Sequence, residues 1–378
     1  SAMSLSTLKV SMRDEKMPDS IRPRVLIMAG GTGGHVFPAL AVADELRQSA
    51  VDLSWLGTRN GIEADLVPSH DIPLNFIEIE GIRGKGLTAL AKAPSLLHRS
   101  INQAFKVLKD FRPDVVLGMG GFVSAPGAMA AWIKNIPLVV HEQNAVPGTT
   151  NRLVSIFANS VLEGFPGTLR GASWVGNPVR SAITRLAAPE NRLSSRKGPV
   201  NLLVLGGSRG SRAINELVPA AIAAIGADQR PRIWHQTGRS HLSMTKALYS
   251  AYDIEANVTE FIDVMENAYG WADFVICRSG ALTIAELTSV GLGSILIPFP
   301  HAIDDHQTAN ARLLEANGAA VIYQQADLTS ELLGELIVEL AVNPCNRLDM
   351  AMAARKLAKD NAAEQVAKTC LEHSYVNA

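Results

Sequence analysis

Along this chain, short apolar runs alternate with longer stretches in which apolar residues recur every three or four positions. Residues 25–28 (VLIM) form a run the length of a buried strand. Gly30, Gly31, Gly33 and Gly34 then crowd around Thr32, and Val36, Ala39, Leu40, Ala43 and Leu46 follow at helical spacing. The pattern predicts strand, glycine loop, helix. Further strands are predicted at 53–56, around Ile77 and Ile79, and at 115–117, 137–140, 161–162 and 174–175. A helix is predicted within 81–109, with Leu97, Ile101 and Leu108 as its buried stripe. A second glycine loop, 118–127, follows the strand at 115–117. At 201–211 the opening pattern returns: strand at 201–205, loop at 206–210, helix at 213–225. Strands at 233–235, 258–261, 274–277, 295–297 and 319–323 follow, with helices at 332–340, 351–358 and 362–373. The polar stretch 187–199 reads as loop.

Regular alternation of strand and helix predicts mainly parallel sheets. With 378 residues the chain is too long for one ordinary core. We expect an α/β protein of two doubly wound, Rossmann-like domains facing across a cleft. The expected divisions are a tail or tag remnant at 1–20, an N-terminal domain at 21–178, a C-terminal domain at 179–358, and a terminal helix, 359–378, packing back on the N-terminal domain. Ser1-Ala2 ahead of Met3 reads as a remnant of cloning.

Composition narrows the function. Lysine and arginine number 35 against 36 acidic residues, so bulk charge gives no argument for nucleic acid. Cys277, Cys345 and Cys370 show no metal-ligand spacing and suit a reducing cytoplasm. The longest uncharged run, 115–133, is broken by Gly118, Gly120, Gly121, Pro126 and Gly127, so it reads as strand, loop and helix rather than a membrane span.

Three glycine loops in one chain point to a ligand with anionic or hydroxylic groups. Glycine lets backbone N–H groups approach closely, and a helix N-terminus favours an anion or a sugar oxygen. The first loop departs from the dinucleotide fingerprint. Residues 53–56 run into Gly57-Thr58-Arg59 with no acid to hold a ribose, which disfavours a nicotinamide dehydrogenase. In the second half, the loop N–H groups and the Ser208 hydroxyl suit a diphosphate. A helix N-terminus contributes up to about 2 kcal/mol to a bound anion, too little alone for a doubly charged group. Arg180 or Arg209 would add a charge-assisted contact, unless each is a solvated surface charge. Glu286 suits either paired ribose hydroxyls or the positive end of its own helix. Asp304, Asp305, His306, Gln307 and Asn310 gather in one loop and helix start. Their amides suit sugar hydroxyls, while Asp305 can serve as a cap. His301 and His306 have no second cluster to complete a metal site, and no Asp-x-Asp motif is present. We expect no metal and no cofactor.

Taken in order, GGTGGH (30–35), GMGGFVSAP (118–126), HEQN (141–144), VGNPVR (175–180), GGSRGS (206–211), TEFID (259–263) and CRSGALTIAE (277–286) resemble the MurG family of bacterial cell-wall glycosyltransferases, over roughly residues 23–373. The resemblance implies the GT-B fold. It also implies transfer of N-acetylglucosamine from UDP-N-acetylglucosamine to undecaprenyl-pyrophosphoryl-N-acetylmuramyl-pentapeptide (lipid I), giving lipid II at the cytoplasmic face of the inner membrane, with the enzyme peripheral. By motif, Thr32, Gly33 and Gly34 touch the donor and Asn144 lies near its sugar. Arg180 and Ser208 flank the diphosphate, and the Ile262 backbone reads uracil. Ala281, Leu282, Thr283, Ile284 and Ala285 wrap the nucleotide, Glu286 holds the ribose, and Gln307 binds the sugar. The family pattern has Gln-Gln where this chain has His306-Gln307, and Gln-Gly-Ala where it has Arg209-Gly210-Ser211.

An inverting displacement needs a base near working pH. His35 is the first candidate and Glu142 the second; His35 can alternatively fix its loop or contact the donor. A lipid acceptor requires a membrane-facing surface. The 81–109 segment offers Ile82, Arg83, Lys85, Leu87, Leu90, Lys92, Leu96, Leu97 and Arg99 for an anionic bilayer, or else a merely solvated helix face. The rival readings are a UDP-N-acetylglucosamine 2-epimerase and a non-catalytic nucleotide-sugar binding protein.

Overall fold

The structure is a computed structural model and describes residues 22–79, 86–194, 196, 198–207 and 210–375, with only the backbone described for 86–92 and Ile303. The first sheet comprises β1 (Arg24–Met28), β2 (Asp52–Gly57), β3 (Leu74–Phe76), β4 (Val115–Gly118), β5 (Leu138–Glu142), β6 (Ser160–Glu163) and β7 (Ser173–Trp174). They lie in the order β3-β2-β1-β4-β5-β6-β7. The second comprises β8 (Asn201–Leu205), β9 (Arg232–Gln236), β10 (Asn257–Thr259), β11 (Phe274–Cys277), β12 (Gly293–Leu296) and β13 (Ala320–Ile322), in the order β10-β9-β8-β11-β12-β13. All pairs are parallel. Ile27 stands between Trp55 and Leu117, and Leu203 between Trp234 and Val275. The central strands are continuous Val/Leu/Ile runs because helices cover both faces of a parallel sheet. The two sheets share one winding, with the same strand order around β1 and β8.

In both domains the chain leaves the central strand through a glycine in a conformation that side chains disfavour, Gly31 at φ 90° and Gly207 at φ 82°. It then enters a helix that packs on the sheet. Gly33–Gln48 buries Val36, Ala39, Leu40, Ala43 and Leu46. Arg212–Ala224 buries Ile214, Val218, Ala221 and Ile222, and Ser211 caps it by accepting from the Ile214 N–H. The last helix, Ala362–Tyr375, leaves the second domain and lies on the first. Val366 and Cys370 are fully buried there with Val25, Ile27 and Val115, and Ser160 and His373 bond at 2.8 Å. The two crossings run side by side: Lys359 stands 4.0 Å from the Trp174 ring centroid.

Three expectations need correction. The edge strand is Leu74–Phe76 rather than the segment around Ile77 and Ile79; Ile77 donates to the Gly57 carbonyl just beyond it. The helix Gly86–Phe111 buries Ser100, Ala104 and Leu108, whereas Leu97 is 44% exposed. Leu108 is buried as expected, in a cluster with Ala104 and with Ala128 and Ala131 of the neighbouring helix, Ser124–Ile133. Within 187–199 lies a short helix, Pro189–Leu193, opened by proline. Its buried Arg192 donates to the carbonyls of Val290 and Gly291, closing the end of another helix.

Two histidines are buried in neutral form. His141 bonds the Gly176 carbonyl at 2.8 Å, and burial pushes it from 6.5 to about 4. His235 sits between the Tyr249 hydroxyl and Asn215 Oδ1, both at 2.9 Å, and burial pushes it to about 3. Below pH 6.5 the unfolded chain binds protons that the fold refuses, so stability must fall as pH falls toward 4. For His141 alone the loss approaches about 3 kcal/mol. Urea unfolding at about pH 5 should therefore show a lower midpoint than at about pH 7; equal midpoints would contradict this account.

Candidate active site

Parallel winding brings the loops of each domain to the carboxyl ends of its strands, and these two ends face each other. On the first side, Thr32 occupies the N-cap of helix Gly33–Gln48. The first N–H groups of that helix, on Gly33 and Gly34, have no intrahelical acceptor. His35 is half-buried beside them. Its Nδ1 lies 3.4 Å from Thr32 Oγ1. The second glycine loop makes room for it: a Cβ on Gly120 would lie 2.7 Å from His35 Cδ2, and one on Gly121 would collide with the Gly30 carbonyl. The two loops therefore pack against each other around the imidazole. Burial pushes His35 below 6.5; the Glu142 carboxylate, the Gly30 carbonyl and Glu63 oppose this, and His306 of the second domain adds to it. The ring is neutral near pH 7 and able to accept a proton.

Glu142, the second candidate base, braces the turn that follows it. It is 1% exposed. Its oxygens accept from the N–H groups of Asn144 (2.8 Å) and Gly148 (3.1 Å) and from Asn151 Nδ2 (2.9 Å). These bonds hold the 142–151 turn.

On the second side, Gln236 clasps the glycine loop. Its Oε1 accepts from the Gly207 N–H at 3.1 Å, and its Nε2 donates to the Gly207 carbonyl at 3.0 Å. Ser208 and Arg209 lie outside the described residues. Arg278 donates to Ser211 Oγ (2.8 Å), Gln325 Oε1 (2.7 Å) and the carbonyls of Ile297 and Pro298, tying this loop to the 298–307 segment. Ile262 is buried in the core of this domain. Helix Ala281–Val290 starts at Gly280, so the N–H groups of Ala281, Leu282 and Thr283 are without intrahelical partners, while that of Ile284 bonds Gly280. Ala285 and Glu286 follow on the next turn. Glu286 is nearly buried; it accepts from the Tyr269 hydroxyl at 2.8 Å and pairs with Arg180 at 3.6 Å. Burial pushes its carboxyl up, and Arg180 and Tyr269 oppose the shift. The Arg180 guanidinium also lies 5.8 Å from the ring centroid of Phe37, on the first domain.

A fully buried amide also bridges the domains. Asn310 Oδ1 accepts from the Ala145 N–H at 2.8 Å, and its Nδ2 donates to Asn144 Oδ1 (3.3 Å) and the Ser279 carbonyl (3.2 Å). Gln307, one turn earlier, accepts from the Phe299 N–H at 3.0 Å. Of the expected residues of the second domain, Arg180 and Glu286 thus meet beside Phe37, on the helix that carries His35. Sequence reasoning missed Glu63, Asn151, Gln236, Tyr269 and Arg278. Only Glu63 left a local trace, the flanking Gly57 and Gly61; the others sit inside ordinary strand and helix patterns. Among the described residues no three His, Cys, Asp or Glu side chains group as a metal site.

Residues 25–163 match the N-terminal domain of glycosyltransferase family 28, and residues 201–366 match its C-terminal domain. A protein of Nitrosococcus oceani named UDP-N-acetylglucosamine–N-acetylmuramyl-(pentapeptide) pyrophosphoryl-undecaprenol N-acetylglucosamine transferase is 50% identical over 352 residues, 92% of this chain and 98% of the relative. The crystal structure of Acinetobacter baumannii MurG superposes with a TM-score of 0.80 at 38% identity, covering 93% of this chain and 99% of that one. A UDP-GlcNAc 2-epimerase from Neisseria meningitidis, 14% identical with a TM-score of 0.64 and covering 92% of this chain and 100% of its own, shares the fold alone. Both halves of the chain, in order, carry the same assignment: the protein belongs to glycosyltransferase family 28 and, within it, to the MurG group.

Proposed function

We propose that the chain moves N-acetylglucosamine from UDP-N-acetylglucosamine to the 4-hydroxyl of the N-acetylmuramyl unit of lipid I, giving lipid II with inversion at the anomeric carbon. The observation that carries this reading is the neutral, half-buried His35. It stands on a glycine loop opposite the Arg180–Glu286 end of the second domain. The names of relatives at about half identity over nearly the whole chain support the substrates.

In this reading the second domain takes UDP. Glu286 accepts the ribose hydroxyls, the Ile262 backbone reads uracil, and residues 281–285 close around the nucleotide. Gln307, with its amide nitrogen turned to the sugar, and Asn144 hold the glycosyl group beside Thr32, Gly33 and Gly34. The acceptor oxygen attacks the anomeric carbon, the bond from that carbon to the phosphate oxygen breaks, and UDP departs with the electron pair. His35 takes the hydroxyl proton. Charge growing on the diphosphate is met by loop N–H groups, Ser208 and Arg180, a fixed donor set with no need for a metal; removing one such donor costs roughly 2.7–4 kcal/mol of transition-state stabilisation.

Access to a bilayer-borne acceptor is the finer part of the proposal. No helix among the described residues is long and apolar enough to cross a membrane. Of the residues expected to meet the bilayer, Ile82, Arg83 and Lys85 lie outside the described residues, and only the backbone of Leu87, Leu90 and Lys92 is described. Leu96 is half-buried, Leu97 is exposed, and Arg99 is paired with Glu78 at 3.0 Å, which offsets its charge. The neighbouring surface adds Phe122, Trp132, Ile133, Leu153 and Ile156, between 51% and 80% exposed. Lys134 and Arg152 lie beside them in the chain. Such a patch on a monomer marks an interaction surface, and Phe122 places its edge next to the glycine loop that seats His35.

Four outcomes follow. His35→Ala should lower kcat by about 10²–10⁴ while UDP affinity stays within about twofold; wild-type turnover would refute the base assignment. Because His35 is shifted below 6.5, the acid limb of kcat/KM for radiolabelled sugar transfer should fall below that value and be insensitive to chelator. Incubation without acceptor should leave the donor unchanged, unlike an epimerase. Trp132→Ser combined with Ile156→Ser should weaken binding to anionic vesicles and slow transfer to a membrane-embedded acceptor, yet spare a water-soluble analogue; equal vesicle binding would remove this surface from the account.

A further inference from the structure

We propose that Glu63 is a positioning residue for His35, acting through the one peptide unit that joins Gly30 to Gly31. The proposal rests on the reading of His35 as the base. Glu63 opens the helix Glu63–Ser69, outside both glycine loops, and is fully buried. Its Oε2 accepts the Gly31 N–H at 2.9 Å, and its Oε1 accepts the N–H and hydroxyl of Thr58 at 2.9 and 2.7 Å. The carbonyl of that same peptide belongs to Gly30, on the loop that seats His35, and both this carbonyl and the Glu63 charge favour the protonated ring. Carboxylate, peptide and imidazole therefore gather around one turn. A negative charge on the N–H side polarises the peptide and makes its oxygen a stronger acceptor. A stronger acceptor beside the ring stabilises the imidazolium formed when it takes a proton.

Two further observations separate this role from simple bracing. A buried carboxylate is costly unless it is fully bonded, and the chain clears space for this one with three glycines. A Cβ on Gly30 would lie 2.5 Å from Glu63 Oε1, one on Gly57 2.7 Å from Glu63 Cγ, and one on Gly61 would collide with the carboxylate. At the matching place in the second domain, the Gly207 N–H is held by the neutral amide of Gln236. An amide suffices to hold that turn; the carboxylate appears in the domain whose loop carries the histidine. The charged and titratable groups facing the His35 ring are Glu63 beneath the loop, Glu142 at the end of β5, and His306 from the second domain. Glu142 bonds the 144–151 turn instead of the Gly30–Gly31 peptide.

The test is Glu63→Gln, which keeps the size and one acceptor while removing the charge. The His35 ring is titrated by NMR in histidine-labelled enzyme, beside the pH profile of transfer. The expected result is a lower His35 midpoint, an acid limb moved to lower pH, a kcat lower by about tenfold, and UDP affinity unchanged within about twofold. An unmoved His35 midpoint in folded Glu63→Gln overturns the proposal. A moved midpoint with an unmoved acid limb supports the relay and removes His35 as the base. In the wild-type protein, independent of any variant, the Gly31 amide signal should inflect at the His35 midpoint; a flat Gly31 signal overturns the relay.

Discussion

The site exists because a buried amide, Asn310, joins the facing ends of two parallel sheets. Its oxygen and nitrogen are both satisfied, by Ala145, Asn144 and Ser279. A polar junction of this kind is worth little net when made, but leaving it half-made is costly. It therefore selects one registration of the two domains, beside the apolar seat that Phe165 finds in the second core. Arg180 adds a second contact between the halves, touching Phe37 on one side and Glu286 on the other. A glycosyltransferase needs this balance, since the donor must enter and UDP must leave through the same cleft.

Duplication of the winding leaves two glycine loops in different electrostatic surroundings. Around the first, Glu63 and Glu142 place carboxylates beside His35. Around the second stand the neutral Gln236 and the cation Arg278. Negative charge near a loop repels an anion and stabilises a protonated imidazole. The first loop is thus suited to proton transfer at a hydroxyl, and the second to a diphosphate. The same backbone device, a positive-φ glycine followed by a helix start, serves both uses.

Much of the fold was legible along the chain. The central strands announced themselves as runs of Val, Leu and Ile, and the return of strand, glycine loop and helix at 201–225 foretold the second domain. The failures were local and share a cause. The edge strand Leu74–Phe76 is short and half-buried, so it lacks the apolar signature that Ile77 and Ile79 mimic. Leu97 faces outward because Ser100 and Ala104 are small enough to bring two helices close, an outcome of packing that periodicity does not record. The short helix at Pro189–Leu193 was hidden by polar composition and is anchored by Arg192 to carbonyls about a hundred positions away.

The amino-acid order by itself determined the alternation of strand and helix, the positions of the glycine turns, and the set of side chains able to meet a nucleotide sugar. These are properties of residues a few positions apart, where spacing and backbone freedom decide the outcome. Tertiary structure alone decided that Glu142 is a brace, that Glu63 lies beneath the His35 loop, and that Glu286 meets Tyr269 and Arg180. Those partners lie between 2 and 106 residues apart, the Gly31–Glu63 bond spanning 32. Contacts of that range are set by how the sheets and helices stack, and no local period carries them.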